Sequence, residues 1–247
     1  MRLSVRNLVV IGAVLGLVVV WSTDQVLPAS SAYQAQMRLW LAARATGITA
    51  YLILTFVVAI GLVLSHPINR STWKLSKRIY PWHENLFVFL IAFLAAHIVS
   101  IILDPYAGVG VAGSFIPGLS SYRTVPVAVG SLALYSLLIT GLTARYTKWL
   151  PAGVWLKLHR LSIVVWALSW AHGILAGADT DGIGPMYVTT GLAILGAAAY
   201  RYWVSKQHRP TFATSLPEGG ITRPARAALT PVTPGTAPAA STEGGRL

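Results

Sequence analysis

Four of the six histidines are spaced so that they could act together inside a helical protein. His83 and His97 are 14 residues apart, and His159 and His172 are 13 residues apart. All four lie within or at the edge of apolar stretches, where an unpaired ionisable group is costly. A neutral imidazole can ligate a metal ion or a haem iron, or carry protons. Whether these side chains can act together therefore depends on the helices that hold them.

The two spacings make different demands on a helix. Fourteen residues rise about 21 Å and are close to four turns, so His83 and His97 share one helix face. Thirteen residues rise about 20 Å and leave His159 and His172 on different faces of an ideal helix. Either the helix is irregular near His159, or the rings reach sideways.

The composition is that of a membrane protein. The chain of 247 residues is 55% hydrophobic and 11% charged, whereas a soluble domain has about 25% charged residues. A membrane-spanning helix needs roughly 20 apolar residues. Five segments meet this length, and a shorter one near the N-terminus also resembles a secretory signal peptide, although we favour an uncleaved helix. The six predicted spans are 8–21, 46–65, 84–103, 124–144, 156–176 and 185–204.

The basic residues indicate the orientation of these spans. Thirteen of the 19 lysines and arginines lie at the N-terminus, in alternate connections or after the last span. This places both termini in the cytoplasm of a multi-pass plasma-membrane protein. Because these residues cluster in short connections, the net charge of +12 does not indicate nucleic-acid binding. The expected fold is an all-α integral membrane protein with a six-helix transmembrane bundle.

In this topology the third and fifth spans run in parallel, so the histidines pair by depth. His83 meets His159 near the cytoplasmic face, and His97 meets His172 near the outer face. Two imidazoles on opposite sides of an iron fill both axial positions of a b-type haem, and two such haems would form a path for electrons. Zinc would need four converging ligands, whereas the pairs are about 20 Å apart. Histidines that only hydrogen-bond within the bundle are the other interpretation.

The pattern resembles the ferric-reductase-like transmembrane domain, which includes ferric reductases, NADPH oxidases and the membrane haem partner of periplasmic methionine sulfoxide reductase. The resemblance covers residues 38–205 and rests on both histidine spacings and on the fragments ARATGITAY, LHRLS and AHG. It implies two haem b groups, with His83, His159, His97 and His172 as the iron ligands.

Three other residues are candidates for roles near the haems, and the resemblance bears on two of them, Arg44 and Trp166. Arg44 matches an arginine beside the outer haem of the oxidases, where it would contact a haem propionate or the acceptor. A simple role at the helix end is the alternative. Arg123, at the end of the connection 104–123, could make a similar contact with a propionate or the acceptor. Trp166 could relay electrons between the haems, although the oxidases place an aromatic residue one position earlier, at Val165 here, and packing is the alternative role.

The chain ends differently from the oxidases. Segment 1–37 is predicted to hold the first helix and an outer loop, and 206–247 a disordered Pro-, Ala-, Thr- and Gly-rich tail that lacks a dinucleotide-binding fingerprint. The expected function is a haem oxidoreductase or electron-transfer subunit. A separate flavoprotein or quinol would supply the electrons, and ferric iron, oxygen or a partner reductase outside the cytoplasm would accept them. A haem-free small permease or scaffold with a structural histidine bundle is the alternative.

Overall fold

A computed structural model describes residues 31–66, 74–151, 153–177 and 180–207, with a few separate residues between Asn7 and Ser22. This part of the chain is all-helical and contains no strand. A 3₁₀ turn at Thr147–Trp149 follows the fourth helix. In chain order the helices are α1 (Ala32–Leu64), α2 (Lys74–Leu103), α3 (Gly110–Phe115), α4 (Thr124–Arg145), α5 (Val154–His159), α6 (Ser162–Ala176) and α7 (Thr180–Gln207).

Helices α1, α2, α4 and α7 are each long and apolar enough to cross a membrane. Only 17% to 33% of the residues in their most apolar windows are buried. Large apolar side chains such as Leu192 and Val125 are instead 72% and 68% exposed. Helices that are apolar on their outer surface are suited to lipid rather than water. The chain therefore has the character of a helical transmembrane protein, as predicted.

Several predicted boundaries need correction. Helix α1 begins at Ala32, so Arg38 and Arg44 lie on a helix and not in a connection. Helix α2 begins at Lys74, ten residues before the predicted span. The first predicted span, 8–21, and the tail after Gln207 lie outside the continuously described residues. Four of the six predicted spans are thus uninterrupted helices, and the fifth in chain order is broken into two shorter ones.

The broken crossing is the predicted span 156–176. It is divided into α5, which ends at His159, and α6, which begins at Ser162 and has 15 residues. At the junction the Leu161 amide donates to the Leu158 carbonyl and the Val164 amide to the Leu161 carbonyl. Bonds to the third preceding residue are those of a tighter 3₁₀ turn. The chain therefore continues in one direction but is overwound next to His159.

Helices α1 and α2 form an antiparallel hairpin held by small residues. Thr46 and Ala50 of α1 are buried four residues apart, and so are Ala92, Ala96 and Ser100 of α2. Small side chains every four residues let two membrane helices approach closely. This hairpin is the most extensive helix contact in the described chain.

A second hairpin consists of α4 with α5 and α6, and it joins the first where α6 packs on α1. Helix α2 makes no comparable backbone packing with α4 or α6 in the described part of the chain. Phe87 of α2 reaches across to Gly141 of α4, and the Arg145 guanidinium lies 3.3 Å from the Glu84 carboxylate. The fold thus leaves a slot between α2 and the second hairpin, bridged by long side chains.

Trp166 connects the two hairpins. Its side chain is fully buried, and its indole N–H donates to the Thr55 hydroxyl of α1 at 3.0 Å. Thr55 in turn donates to the Tyr51 carbonyl of its own helix. The Trp166 ring also stacks on Trp170, with centroids 6.0 Å apart.

Replacing Thr55 with valine should lower the free energy of unfolding by about 0.6–1.7 kcal/mol, the range for hydrogen bonds between membrane helices. The indole N–H of Trp166 would then be buried without an acceptor. Thr49→Val is the matched control, because the Thr49 hydroxyl bonds only to the Ala45 carbonyl of its own helix. Denaturant titration in detergent measures both variants, and equal losses would contradict the assigned role of the Thr55 hydroxyl.

Candidate functional site

The four histidines meet in two pairs across the slot. The His83 and His159 ring centroids are 6.0 Å apart, with the ring planes at 86°. The His97 and His172 centroids are 6.4 Å apart, with the planes at 74°. In each pair α2 supplies one ring, and the second hairpin supplies the other. We call the corresponding ends of the bundle the His83 end and the His97 end.

Hydrogen bonds fix the orientation of three of these rings. Nδ1 of His97 lies 2.7 Å from the Ala43 carbonyl oxygen, and Nδ1 of His83 lies 3.0 Å from that of Val57. Nδ1 of His172 lies 2.8 Å from the Pro126 carbonyl oxygen. A carbonyl can only accept, so each Nδ1 carries the proton. The free lone pair of each neutral ring is therefore on Nε2, the nitrogen available to a metal.

The accepting carbonyls follow a register along α1 and α4. Each of the three lies four residues before a glycine, and each glycine lies against the ring of the same histidine. A β-carbon on Gly47 would be 2.8 Å from the His97 ring, and one on Gly130 would be 2.7 Å from the His172 ring. At Gly61 the distance to the His83 ring would be 3.3 Å. Absent β-carbons thus make room for the imidazoles beside the carbonyls that orient them.

His159 departs from this register. Its ring faces the Thr140 carbonyl, 14 residues after Pro126, without completing a hydrogen bond, and its Nδ1 is buried with no partner among the described residues. The Thr143 hydroxyl donates to the same carbonyl at 3.3 Å, and the residue four positions after Thr140 is Ala144 rather than glycine. The fourth imidazole is thus the least constrained.

The junction between α5 and α6 reduces the angular mismatch of the 13-residue spacing. At 100° per residue, 13 residues fall about 140° short of four turns. A 3₁₀ turn advances about 120° per residue and so adds rotation in the missing direction. The overwound residues Arg160 and Leu161 add about 40°, so the rest of the difference is taken up by the directions in which the two side chains extend from the helix. The irregular start near His159 was one of the two expectations from the sequence.

The dimensions of each pair fit a six-coordinate metal. Histidine nitrogens bind metals such as zinc at about 2.0–2.1 Å, and a ring nitrogen lies about 1.1 Å from its ring centre, so two rings on opposite sides of a metal would have centroids about 6.3 Å apart. The observed separations are 6.0 and 6.4 Å. Within the described segments, no three His, Cys, Asp or Glu residues form a cluster suited to a metal ion. A metal centre at either pair would thus have two ligands from the described residues.

A cavity of about 210 Å³ lies at the His97 end and extends toward the middle of the bundle. His97, His172 and Arg44 line it, together with Tyr51 and Tyr187. Most of the remaining lining is apolar, including Leu54, Leu90 and Leu137. An apolar cavity with a few polar groups is typical of a site for an organic cofactor. Arg44 is the one cation among the residues that line this cavity.

Arg123 has a different position from Arg44. Its guanidinium donates to the Leu175 and Gly177 carbonyls at 2.9 and 3.2 Å, where α6 ends. Its backbone has φ 39°, a left-handed conformation that is costly for an arginine. Arg123 therefore closes the end of α6 and starts α4, and its predicted contact with a cofactor or an acceptor stays a prediction.

The centre of the bundle, midway between the histidine pairs, is aliphatic. Leu90 is seven residues from both His83 and His97, and it packs in one buried cluster with Leu54, Leu137 and Val165. Trp166 belongs to the same cluster but is held toward α1 by its bond to Thr55. Its predicted role as an electron relay stays a prediction, and its observed role is to join two helices.

Sequence reasoning missed the residues that position the rings. The accepting carbonyls leave no trace in the sequence, because any residue type can supply one. A signal did exist in the glycines, since Gly47 and Gly61 are 14 residues apart, the same interval as His83 and His97.

No family model, curated protein or solved structure matches the chain.

Gly130→Ala should displace the His172 ring, because the new β-carbon would lie 2.7 Å from Cε1 and Nδ1. The expected loss is about 1–3 kcal/mol of unfolding free energy, the usual range for overpacking. Gly196→Ala is the control, since a β-carbon there meets nothing within 4 Å. Thermal unfolding in detergent compares the two, and a Gly130→Ala protein as stable as Gly196→Ala would show that the ring has room to move.

Proposed function

We propose that the chain is a transmembrane b-type haem protein that carries electrons across the plasma membrane. A donor on the cytoplasmic side, a separate flavoprotein or a quinol, delivers them at the His83 end. An acceptor outside the cytoplasm, such as ferric iron, oxygen or a partner reductase, takes them at the His97 end. The orientation rests on the distribution of basic residues.

The observation that carries the proposal is the pair of facing imidazoles at each end of the slot. The two rings of each pair are close enough that both could hold one iron, and three of the four rings have Nδ1 bonded to a backbone carbonyl. With Nδ1 bonded to a carbonyl, Nε2 of His83, His97 and His172 is the nitrogen that could bind an iron. The chain has no cysteine, so covalent attachment of a c-type haem is excluded.

When bound, the haems would supply one-electron chemistry. The protein residues would hold and orient them. His83 and His159 would ligate one iron, and His97 and His172 the other. A carbonyl hydrogen bond to Nδ1 makes the imidazole a stronger donor to the metal. Arg44 would contact a propionate or an acceptor at the His97 end, since a guanidinium pairs well with carboxylates.

Purified protein should show the spectrum of a low-spin, bis-imidazole b-type haem, with close to two haems per chain by haem extraction. His97→Ala should reduce this to about one haem, because the His83 pair remains complete. His66→Ala is the control, since that ring stacks on Tyr200, away from both pairs, and it should retain two haems. Protein without haem from haem-replete cells would refute the proposal and favour the permease or scaffold.

Arg44→Gln should lower the midpoint potential of the haem at the His97 end by tens of millivolts. A nearby positive charge favours the reduced form, and 59 mV corresponds to about 1.4 kcal/mol for one electron. Arg44→Lys keeps the charge and should retain most of the potential. A redox titration that resolves the two haems measures the shift, and an unchanged potential in Arg44→Gln would exclude this electrostatic role.

A further inference from the structure

The connection between α2 and α4 is held along the side of α4. The Ser131 hydroxyl donates to the Ser114 carbonyl at 2.9 Å, and the Tyr135 hydroxyl donates to the Phe115 carbonyl. These two carbonyls belong to the C-terminal end of α3. The connection therefore does not extend away from the bundle at its tip but folds back against the helix that follows it.

The positions of Ser131 and Tyr135 give the depth of this contact. They are seven and eleven residues after Thr124, the first residue of α4, or about 10 and 16 Å along the axis. Side chains on a helix point toward its N-terminus, so the end of α3 lies on the order of 10 Å below the start of α4. Helix α4 has 22 residues, about 33 Å, which is close to the roughly 30 Å hydrocarbon thickness of a bilayer.

The composition of the connection is suited to that depth. Residues 105–122 contain no Asp, Glu, Lys, Arg or His. Val111, Ile116 and Leu119 are 61%, 51% and 60% exposed. They continue an exposed apolar stripe of α4 that includes Leu132, Tyr135 and Ile139. Water is a poor partner for such a surface, whereas acyl chains would cover the stripe and the connection together.

The opposite side of the connection faces the histidines. Val109 and Ser114 line the cavity that also contains His97 and His172. Gly113 packs so closely on Ser120 that a β-carbon would lie 3.1 Å from its Cα. Backbone outside regular helices is tolerated at membrane depth where it is buried in protein or lines a cavity. Val109, Gly113, Ser114 and Ser120 meet this condition, because each is buried or lines the cavity.

We propose that residues 105–122 form a re-entrant segment at the His97 end. The segment presents Val111, Ile116 and Leu119 to the acyl chains of the membrane, and its other side forms a wall of the histidine cavity. It separates that cavity from lipid on the α3 side. This placement follows from the packing against α4 and is the same whichever cofactor is bound.

Spin labels on single cysteines test this placement, and the chain has no native cysteine to remove. Val111→Cys, Ile116→Cys and Leu119→Cys are labelled in phosphatidylcholine nanodiscs. For each, the collision rate with oxygen, which concentrates in lipid, is divided by that with a water-soluble nickel chelate. Ile139→Cys is the lipid reference and Lys148→Cys, in the exposed turn after α4, the water reference. The ratio at Val111 and Ile116 should exceed the Lys148 value several-fold and approach the Ile139 value.

Tyr135→Phe provides a second test, because it removes the hydroxyl that holds the Phe115 carbonyl. The label at Ile116 should become more mobile and more accessible to the nickel chelate. Tyr80→Phe, on the exposed side of α2, should change neither. Ratios at all three loop sites equal to the Lys148 value would overturn the proposal in favour of an aqueous loop. Low collision rates with both reagents would also overturn it, since they would show that protein covers the surface.

Discussion

The arrangement depends on the register between each histidine and the backbone of the helix opposite. On the antiparallel hairpin of α1 and α2, His97 lies opposite Ala43 and Gly47, and His83 lies opposite Val57. A glycine lets the ring approach, and the carbonyl one turn earlier takes the Nδ1 proton. Shifting the register by one residue would rotate each partner by about 100° and remove both contacts. Close packing of the small residues at 46, 50, 92, 96 and 100 maintains that register.

The sequence predicted the transmembrane character and the two histidine pairs because both depend on the types and spacing of side chains. Apolar runs of about 20 residues need no tertiary information, and histidines about four turns apart on parallel helices have few other arrangements. Helix ends were harder to predict. Arg38, Arg44 and Lys77 lie before the predicted spans 46–65 and 84–103, whereas the long helices α1 and α2 extend past the apolar region and carry those charges. The orienting carbonyls could not be predicted, because the backbone is the same at every position.

At the His83 end, His159 is held by fewer contacts than His83. His159 comes from a short helix that ends with it, and Nδ1 of that ring lacks the carbonyl bond that the other three have. The Glu84–Arg145 pair lies beside it and ties α2 to α4, but both side chains are about one-third exposed, so the pair contributes little to stability. The His97 end has two oriented rings, a cavity of about 210 Å³ and Arg44. The imidazoles are therefore held in more fixed orientations at the His97 end than at the His83 end.

Both irregular stretches of backbone at the sides of the bundle adjoin a histidine pair. The overwound junction at Arg160 and Leu161 turns His159 toward α2, and its amides find acceptors at the third or fourth preceding residue. The segment around α3 lies against the cavity at the His97 end, with its terminal carbonyls satisfied by Ser131 and Tyr135. A bilayer penalises every unpaired backbone group, so irregular structure persists only where neighbouring groups replace the lost bonds. With regular helices alone, His159 would be rotated further from α2 by about 40° and the cavity would be open to lipid beside α4, so each departure from regular helix adjoins a histidine pair.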